Sequence, residues 1–407
     1  MVNNPPIINS ISSVDLKELQ IVSEKNFFLH NSDSELFKVI IDYPIVKDTI
    51  AIKCAVLFLS EMFFQGTQTK DWVTVSEEID KTGGDISLNS GLEFISFTIS
   101  GLNRNADKLV GLFWEMFNTN IYPEERFNSL KKSFHASVKQ SWEKPNSLAT
   151  KKSWQSAFKN HAYGLKLKPE YVQDFEYSDF IKLVPTLFVE QPFVHQYGKI
   201  PLDFNFNEGA RRTVGEVNFF PGHEVLYLDD IQQSSLRMMC WCGEANYNEQ
   251  YFSENFTLKL FGGYFGSRLM QSIREDKGYT YGISAYKKTT TKGELMFLSS
   301  EVELLNIKKC VDEVFNQIEI LQNELVPEKE LAQLKSYTIG EMLRGLDGVS
   351  ALLSYYRNES IYQKSPDRIQ QYLKRIESIS PNDIQKAAQK LFPQSDTYYL
   401  YSQSQAE

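Results

Sequence analysis

Cysteine and histidine are both scarce in this chain of 407 residues. The four cysteines are too scattered for a disulfide framework or a thiolate metal site, although Cys240 and Cys242 fall on one face of an expected strand. No two of the five histidines stand four residues apart, so none forms the pair that a metal site on one helical face needs. The other cysteines are Cys54 and Cys310, and the histidines are His30, His135, His161, His195 and His223.

Excess positive charge, the pattern of a signal peptide and a long apolar run are also missing from this sequence. The formal net charge is −9 and no long basic stretch occurs, which excludes nucleic acid as a partner. The N-terminal residues lack the basic and apolar regions of a signal peptide. The most apolar segment, residues 50–64, is interrupted by Lys53, Ser60 and Glu61 and is shorter than the ~20 residues of a membrane span. We therefore expect a cytoplasmic protein with no membrane partner, or a periplasmic one if a leader has been removed.

The composition is that of an ordinary globular protein. Hydrophobic residues make up 42% of the chain, aromatic residues 13% and charged residues 23%, so the chain has enough apolar surface to form a core. Its 407 residues exceed the ~100–200 residues of a usual domain. The sequence therefore predicts two domains.

The two halves of the chain resemble each other. Residues 122–131, YPEERFNSLK, correspond to residues 326–335, VPEKELAQLK, at an offset of 204, which is close to half the length. The pair Asp179-Phe180 and Asp383-Ile384 keeps the same offset. We interpret this as an internal duplication; the alternative is a chance resemblance between helix starts.

Each half begins with alternating apolar positions, which are typical of strands, and continues with apolar stripes at helical spacing. Separate runs of strands and helices predict an α+β fold, in which two tandem homologous domains each pack an antiparallel-rich sheet against helices. The predicted domains are residues 1–205 and 206–407, joined by the polar segment 199–216, which contains Pro201 and Gly209. The strand examples are residues 95–99 and 293–298, and the helix examples are residues 109–116 and 307–321.

One helical segment in the first half resembles a known metal-binding helix. Residues 55–67, AVLFLSEMFFQGT, are similar to the zinc helix of peptidase family M16, whose members include pitrilysin, insulinase and the mitochondrial processing peptidase. In that family's H-x-x-E-H motif, two histidines bind zinc and the glutamate activates water. Here the three positions hold Leu57, Ser60 and Glu61, and the third ligand, a later glutamate, is replaced by Ser137.

These replacements predict that this chain binds no metal and contains no catalytic residue. Zinc needs three donors and an open water position, and Leu57 offers no donor. We therefore expect no cofactor in this chain and regard residues 50–64 as a buried helix that has kept its packing. Glu61 stands out on such a helix, because a buried carboxylate needs a partner or a wet surface.

A second segment, residues 262–281, GGYFGSRLMQSIREDKGYTY, resembles the M16 pattern S-R-L-x-x-x-[IL]-R-E-x-x-G-x-x-Y. The resemblance implies that Arg274 and Tyr281, seven residues apart, help to hold substrate. A guanidinium and a phenol can both donate hydrogen bonds to a peptide carbonyl. The alternative is that both residues remain only as part of the fold.

The resemblance implies a subunit that lacks zinc but carries half of a peptidase site. We expect a heterodimer in which an H-x-x-E-H subunit of family M16 holds zinc, and in which an extended peptide is the substrate. Two alternatives remain open at this point: a scaffold or assembly protein without proteolysis, and a homodimeric peptide-binding protein. A peptidase that acts alone is the least favoured interpretation.

Overall fold

Two sheets, one in each half of the chain, organise the fold. The computed structural model describes residues 19–21, 26–30, 34–45, 49–204, 206, 216–244, 249–346, 348–362, 368–392 and 396–404. In this part of the chain the first half forms a six-stranded sheet and the second half a five-stranded sheet, and helices pack against both. The structure confirms the predicted α+β fold with two tandem units.

The first half contains six strands and seven α-helices within its described residues. The strands are β1 Leu19–Ile21, β2 Asn26–His30, β3 Leu36–Pro44, β4 Asp85–Ser90, β5 Phe94–Leu102 and β6 Phe193–Gly198. The helices are α1 Ile50–Met62, α2 Trp72–Thr82, α3 Ala106–Thr119, α4 Glu124–Glu143, α5 Pro145–Ala157, α6 Pro169–Asp174 and α7 Tyr177–Leu183. The predicted strand at 95–99 and helix at 109–116 lie within β5 and α3.

The second half has the same plan. Its strands are β7 Gly222–Leu228, β8 Gln233–Gly243, β9 Thr280–Thr290, β10 Gly293–Glu303 and β11 Thr397–Ser404. Its helices are α8 Glu249–Gly262, a π-helix at Met270–Asp276, α9 Ile307–Asn323, α10 Glu328–Gly345, α11 Val349–Ile361, α12 Arg368–Ser378 and α13 Pro381–Leu391. Short 3₁₀ turns occupy Asn103–Asn105, Ala162–Gly164, Val184–Phe188 and Leu304–Asn306.

The strand orders of the two sheets match. The first sheet runs β1-β2-β6-β3-β5-β4 and the second runs β7-β11-β8-β10-β9, so the orders correspond once β1 is set aside. In each sheet one described pair is parallel, β2 with β6 and β7 with β11, and the other pairs are antiparallel. Helices α4 and α10, α5 and α11, and α7 and α13 begin 204 residues apart. The structure therefore agrees with an internal duplication.

One helix of each half packs on the sheet of the other half. Helix α5 packs on β7, β8 and β11 of the second sheet, and α11 packs on β2 and β6 of the first. Strand β3 shows why both faces of a sheet must be apolar: Val39 and Ile41 enter the core of their own half, while Ile40 contacts the cluster that includes Leu353 and Tyr356 of α11. Both sheets are thus covered on both faces, which ties the halves together.

A buried ion pair fixes α11 on the first sheet. The guanidinium of Arg357 donates to both carboxylate oxygens of Asp42 on β3, at 2.7 and 2.6 Å, and the Ser96 hydroxyl donates to the same carboxylate at 2.6 Å. Asp42 and His195 are fully buried, with the imidazole 3.7 Å from the carboxylate. Burial raises the pKa of Asp42, but its interactions with His195, Arg357 and Ser96 outweigh the effect of burial and hold that pKa below its usual range. Burial lowers the pKa of His195.

The segment predicted to link the domains, residues 199–216, lies only partly within the described residues. Residues 199–204, 206 and 216 are described and contain neither helix nor strand, whereas residues 205 and 207–215 lie outside the described residues. The domain boundary at 205/206 stays a prediction. No described helix combines the length and the apolar character that crossing a bilayer would need.

Candidate functional site

Helix α1 carries the three altered motif positions on one face. Its N-cap is Thr49, whose hydroxyl accepts from the Ile52 amide at 3.2 Å, and its apolar face buries seven residues in the core. Leu57 and Ser60 are half-buried and Glu61 is exposed, so these positions lie on the accessible side of the helix. The expectation of a buried helix therefore holds for one face only. Glu61 needs no buried partner because it meets solvent.

The residues at these positions do not fit a zinc ion. Leu57 has no donor atom, and the Ser60 hydroxyl donates to the Leu57 carbonyl of its own helix at 2.7 Å. Glu61 is the only carboxylate of the three positions. Across the described ranges, no group of three or more histidine, cysteine, aspartate or glutamate side chains is arranged to hold a metal. Cys240 and Cys242 both lie in β8, and all four cysteines are free thiols.

Ser137 lies on α4, which packs beside α1. The ring of Phe58 on α1 stacks on Phe127 of α4 at 4.2 Å and meets Phe134 edge-on at 5.2 Å. Helix α4 starts after Pro123 and has two glutamates in its first turn, which suit the positive end of the helix dipole. Ser137 is exposed three residues beyond Phe134. Helices α1 and α4 thus pack together, and the correspondence of Ser137 with the family's third ligand stays a prediction.

Arg274 occupies the π-helix of the second half. Its guanidinium lies 4.7 Å from the ring centroid of Phe265, which is 66% exposed, and 3.5 Å from the carboxylate of Glu275. The side chain of Arg274 is 32% exposed, so solvent can reach it. A π-helix is rare and often occurs at functional sites because it changes the direction of its side chains.

Tyr281 stands at the start of β9, on the edge of the second sheet. Strand β9 pairs only with β10 among the described strands, and its register shifts between Ile283 and Thr280. Such a bulge turns a side chain away from the regular alternation. Tyr281 is 89% exposed, so packing does not explain its presence. Phe265, Arg274 and Tyr281 are all accessible to solvent, and we call these three residues the Arg-Tyr surface.

Other residues of the same segment have structural roles. Arg268 forms a two-pronged ion pair with Glu330 on α10, at 2.9 and 3.0 Å. A side chain at Gly262 would place its Cβ 2.8 Å from the Cβ of Ala285, which only glycine avoids. The segment therefore divides into a buried anchor and the outward-facing Arg-Tyr surface.

The structure does not join the two sets of predicted residues by direct bonds. In the described part of the chain, no hydrogen bond or ion pair links Arg274 or Tyr281 with Leu57, Ser60, Glu61 or Ser137. The roles of all six positions stay predictions. Sequence reasoning also missed a group of lysines around Trp154, for which the visible signal was the lysine-rich segment 131–169.

Family models and known proteins match this architecture. Residues 39–169 match the insulinase, or peptidase M16, model, and residues 174–337 match the model named peptidase M16 inactive domain. The chain is 18% identical to the uncharacterized zinc protease YmxG of Bacillus subtilis, over 85% of this chain and 88% of that protein. It is 27% identical to a Bacillus subtilis protein named as a probable inactive metalloprotease, YmfF, over 44% of this chain and 40% of that protein.

Solved structures show the same fold. A peptidase M16 inactive domain from Pseudomonas fluorescens superposes with a TM-score of 0.83 at 13% identity, covering 95% of this chain and 98% of that chain. A chain of complex III2 from Candida albicans matches with a TM-score of 0.69 at 13% identity, covering 93% of each chain.

The fold and the altered helix define the class: a two-unit α+β protein of the metallopeptidase type whose described residues include no group arranged to hold a metal. The chain belongs to peptidase family M16, and within it resembles the inactive type of metalloprotease homologue.

Proposed function

We propose that this protein is the zinc-less subunit of a heterodimeric M16 metalloendopeptidase. It supplies Arg274, Tyr281 and half of the peptide chamber, and an H-x-x-E-H subunit supplies zinc and the water-activating glutamate. The observation that carries the proposal is the exposure of Tyr281, at 89%, together with the partial exposure of Arg274, at 32%. Exposed polar groups on a well-anchored segment are not needed for packing, which favours a role in binding.

The edge strand beside these residues suits an extended peptide. Strand β9 has unpaired backbone groups along its outer side, because it pairs only with β10 in the described sheet. A peptide can add to such an edge through main-chain hydrogen bonds, and Arg274 and Tyr281 can donate to its carbonyl groups. The proposed substrate is therefore an extended or unfolded peptide, and the proposed location is the cytoplasm.

The exposed Arg-Tyr surface could bind peptide equally well in a homodimeric protein that has no catalytic activity. The likeness to a complex III2 chain concerns the fold alone and leaves a scaffold role as a further alternative. These possibilities predict different results when the chain is mixed with a zinc subunit.

Mixing this protein with a zinc subunit is expected to produce peptidase activity that this protein does not show alone. The purified protein should contain no stoichiometric zinc and cleave no unfolded peptide, whereas addition of an M16 subunit with intact H-x-x-E-H should give cleavage. Arg274→Ala or Tyr281→Phe should then lower kcat/KM about tenfold, which corresponds to the loss of one hydrogen bond in the transition state. The measurement is the cleavage rate of an unfolded peptide together with the zinc content.

Tyr286→Phe provides a matched control, because Tyr286 lies on the same strand and is 49% exposed. It should leave the rate unchanged. Cleavage by the lone chain that a chelator abolishes would show a stand-alone peptidase. If Arg274→Ala and Tyr281→Phe both leave the activity of the mixed complex unchanged, these residues are not part of the peptidase site.

A further inference from the structure

Two lysines from different halves of the chain lie against one tryptophan ring. Trp154 on α5 is 8% exposed, and its ring centroid is 4.7 Å from the Nζ of Lys166 and 5.3 Å from the Nζ of Lys288 on β9. Ammonium groups at these distances interact favourably with the face of an aromatic ring. The pair therefore has a defined geometry at the junction of the two halves.

Two more lysines add to the positive charge. The Nζ of Lys151 is held by the Ser141 carbonyl, the Ser141 hydroxyl and the Ser147 hydroxyl at 2.7, 2.7 and 2.8 Å. Lys53 lies on α1 one turn before Leu57 and is half-buried on the accessible side of that helix. Four lysines thus gather from α1, α5, β9 and the segment after α5; we call them the lysine cluster.

Acidic side chains form no ion pair with three of these lysines within the described residues. No described carboxylate lies within ion-pair distance of Lys151, Lys166 or Lys288. Glu93 is the acid that acts on Lys288, and its carboxylate already accepts from the Tyr163 hydroxyl at 2.8 Å and from the Thr291 amide and hydroxyl at 3.0 and 2.5 Å. Lys151, Lys166 and Lys288 therefore have no ion-pair partner within the described residues, although Glu93 offsets part of the charge of Lys288.

Holding these ammonium groups close together and partly buried costs free energy in the protein without a ligand. Burial, together with repulsion from Lys53, Lys288 and Lys151, lowers the pKa of Lys166 to about 7. The surface of Lys166 nevertheless remains partly accessible, so a ligand can reach it. Its ammonium donates a hydrogen bond to the Tyr163 carbonyl at 2.8 Å but has no carboxylate partner in the described part of the chain. Desolvated charges of one sign that lack an opposite charge and stay reachable by solvent are a frequent sign of a binding site.

The sequence concentrates lysine near this place although the protein is acidic overall. Residues 131–169 contain nine lysines and a single acidic residue, Glu143, in a chain whose net charge is −9. Solubility alone would explain lysines scattered on exposed helix faces. Solubility does not explain why Lys53 and Lys288, from other parts of the sequence, lie close enough to Lys166 to repel its charge.

We propose that Lys166, Lys288 and Trp154 form a binding site for a carboxylate of an extended peptide, either an acidic side chain or the C-terminus. The proposal rests on the proposed peptide-binding function and names the substrate class: peptides that are acidic at one end. Lys288 lies on the same edge strand as Tyr281, seven residues further along. At ~3.3 Å per residue, a peptide paired with β9 would span about 23 Å between Tyr281 and the lysine cluster.

Calorimetry on the lone chain tests this site without any zinc subunit. The probes are three unlabelled peptides of about ten residues that match the β9 span: an amidated peptide with two glutamates at one end, its glutamine counterpart, and the glutamine peptide with a free C-terminal carboxylate. Inorganic phosphate is the fourth probe. We expect at least one carboxylate-bearing peptide to bind about tenfold more tightly than the neutral amidated one.

Lys166→Met and Lys288→Met should each lower that affinity about tenfold, and melting curves would show that both variants are folded. Lys308→Met, which removes an exposed lysine on α9, should change the affinity less than about twofold. Equal binding of all three peptides, or binding that neither lysine variant weakens, would overturn the proposal. Phosphate binding without any peptide preference would also overturn it. Because no cleavage is measured, failure of the heterodimer leaves this test intact.

The same titration should depend on pH. The charged groups that face Lys166 are Lys53, Lys151 and Lys288, and Glu93 faces Lys288. A bound carboxylate favours the protonated form of Lys166 and so raises its pKa above the value of about 7 in the free protein. Affinity should therefore be highest below pH 7 and fall by up to about tenfold per unit above it, until the pKa of the complex is passed. Lys166→Met should flatten this profile.

Discussion

Replacement of Arg357 by methionine is expected to lower the free energy of unfolding by about 3–5 kcal/mol, because it leaves a buried carboxylate without its cation. Asp42 is fully buried and receives two hydrogen bonds from Arg357, so the variant retains the charge but loses its main partner. Methionine keeps much of the apolar stem, which limits the loss of packing against the first sheet. Urea denaturation of the whole chain measures the effect.

A second substitution separates charge from packing. Asp42→Asn combined with Arg357→Met should recover a large part of the loss, since no buried charge then remains. Arg126→Met, which removes an exposed arginine on α4, should change stability by less than about 0.5 kcal/mol. A loss below about 1 kcal/mol in Arg357→Met would show that the ion pair is not what holds α11 on the sheet.

Restoring the four altered positions is expected to create a zinc site. The variant Leu57→His, Ser60→Glu, Glu61→His and Ser137→Glu supplies two imidazoles, a carboxylate ligand and a base on helices that already pack together. Leu57, Ser60, Glu61 and Ser137 are half-buried or exposed, so the new side chains need no space in the core. We expect one zinc per chain after dialysis, whereas the natural sequence should retain none.

Thermal denaturation gives an independent readout, because a metal that binds only the folded state raises Tm. A triple variant that keeps Leu57 serves as the control and should lose stoichiometric zinc, since only two ligands remain. If the full variant also binds no zinc, Ser137 or the face of α1 has been aligned wrongly with the family motif. The stability of the metal-free variant distinguishes that outcome from misfolding.

Much of the fold was predictable because local pattern and tertiary structure agree. The strand predicted at 293–298 lies within β10, and the helix predicted at 307–321 lies within α9, which extends it by two residues. The repeat of the Pro-Glu helix start reappears as α4 and α10. These features depend on side-chain period and capping, both of which are visible in a single sequence.

The exchange of α5 and α11 was not predictable in the same way. The apolar residues of these helices, such as Trp154 and Leu353, show that each helix is buried but not which sheet covers it. The bulge at the start of β9 depends likewise on pairing with β10. Both features arise from contacts distant in sequence, which periodicity does not record.

The sequence indicated which residues could form a site, but not what surrounds them. The motif resemblance located Leu57, Arg274 and Tyr281, and the structure adds that Tyr281 is exposed and that Arg274 lies against Phe265. The lysine cluster could not be predicted from the sequence, because Lys166 and Lys288 lie against the same ring only once the two halves have folded together. A single sequence gives no measure of such long-range proximity.

The exchanged helices also bear on what happens when the backbone is broken. If the peptide chain were cut between the halves, each fragment would still hold a helix whose apolar face belongs on the other fragment's sheet. The nicked protein should therefore run as a single species during gel filtration and separate only in denaturant. Either fragment expressed alone would expose an apolar sheet face and is expected to aggregate. The two copies of the duplicated unit have become mutually dependent for solubility.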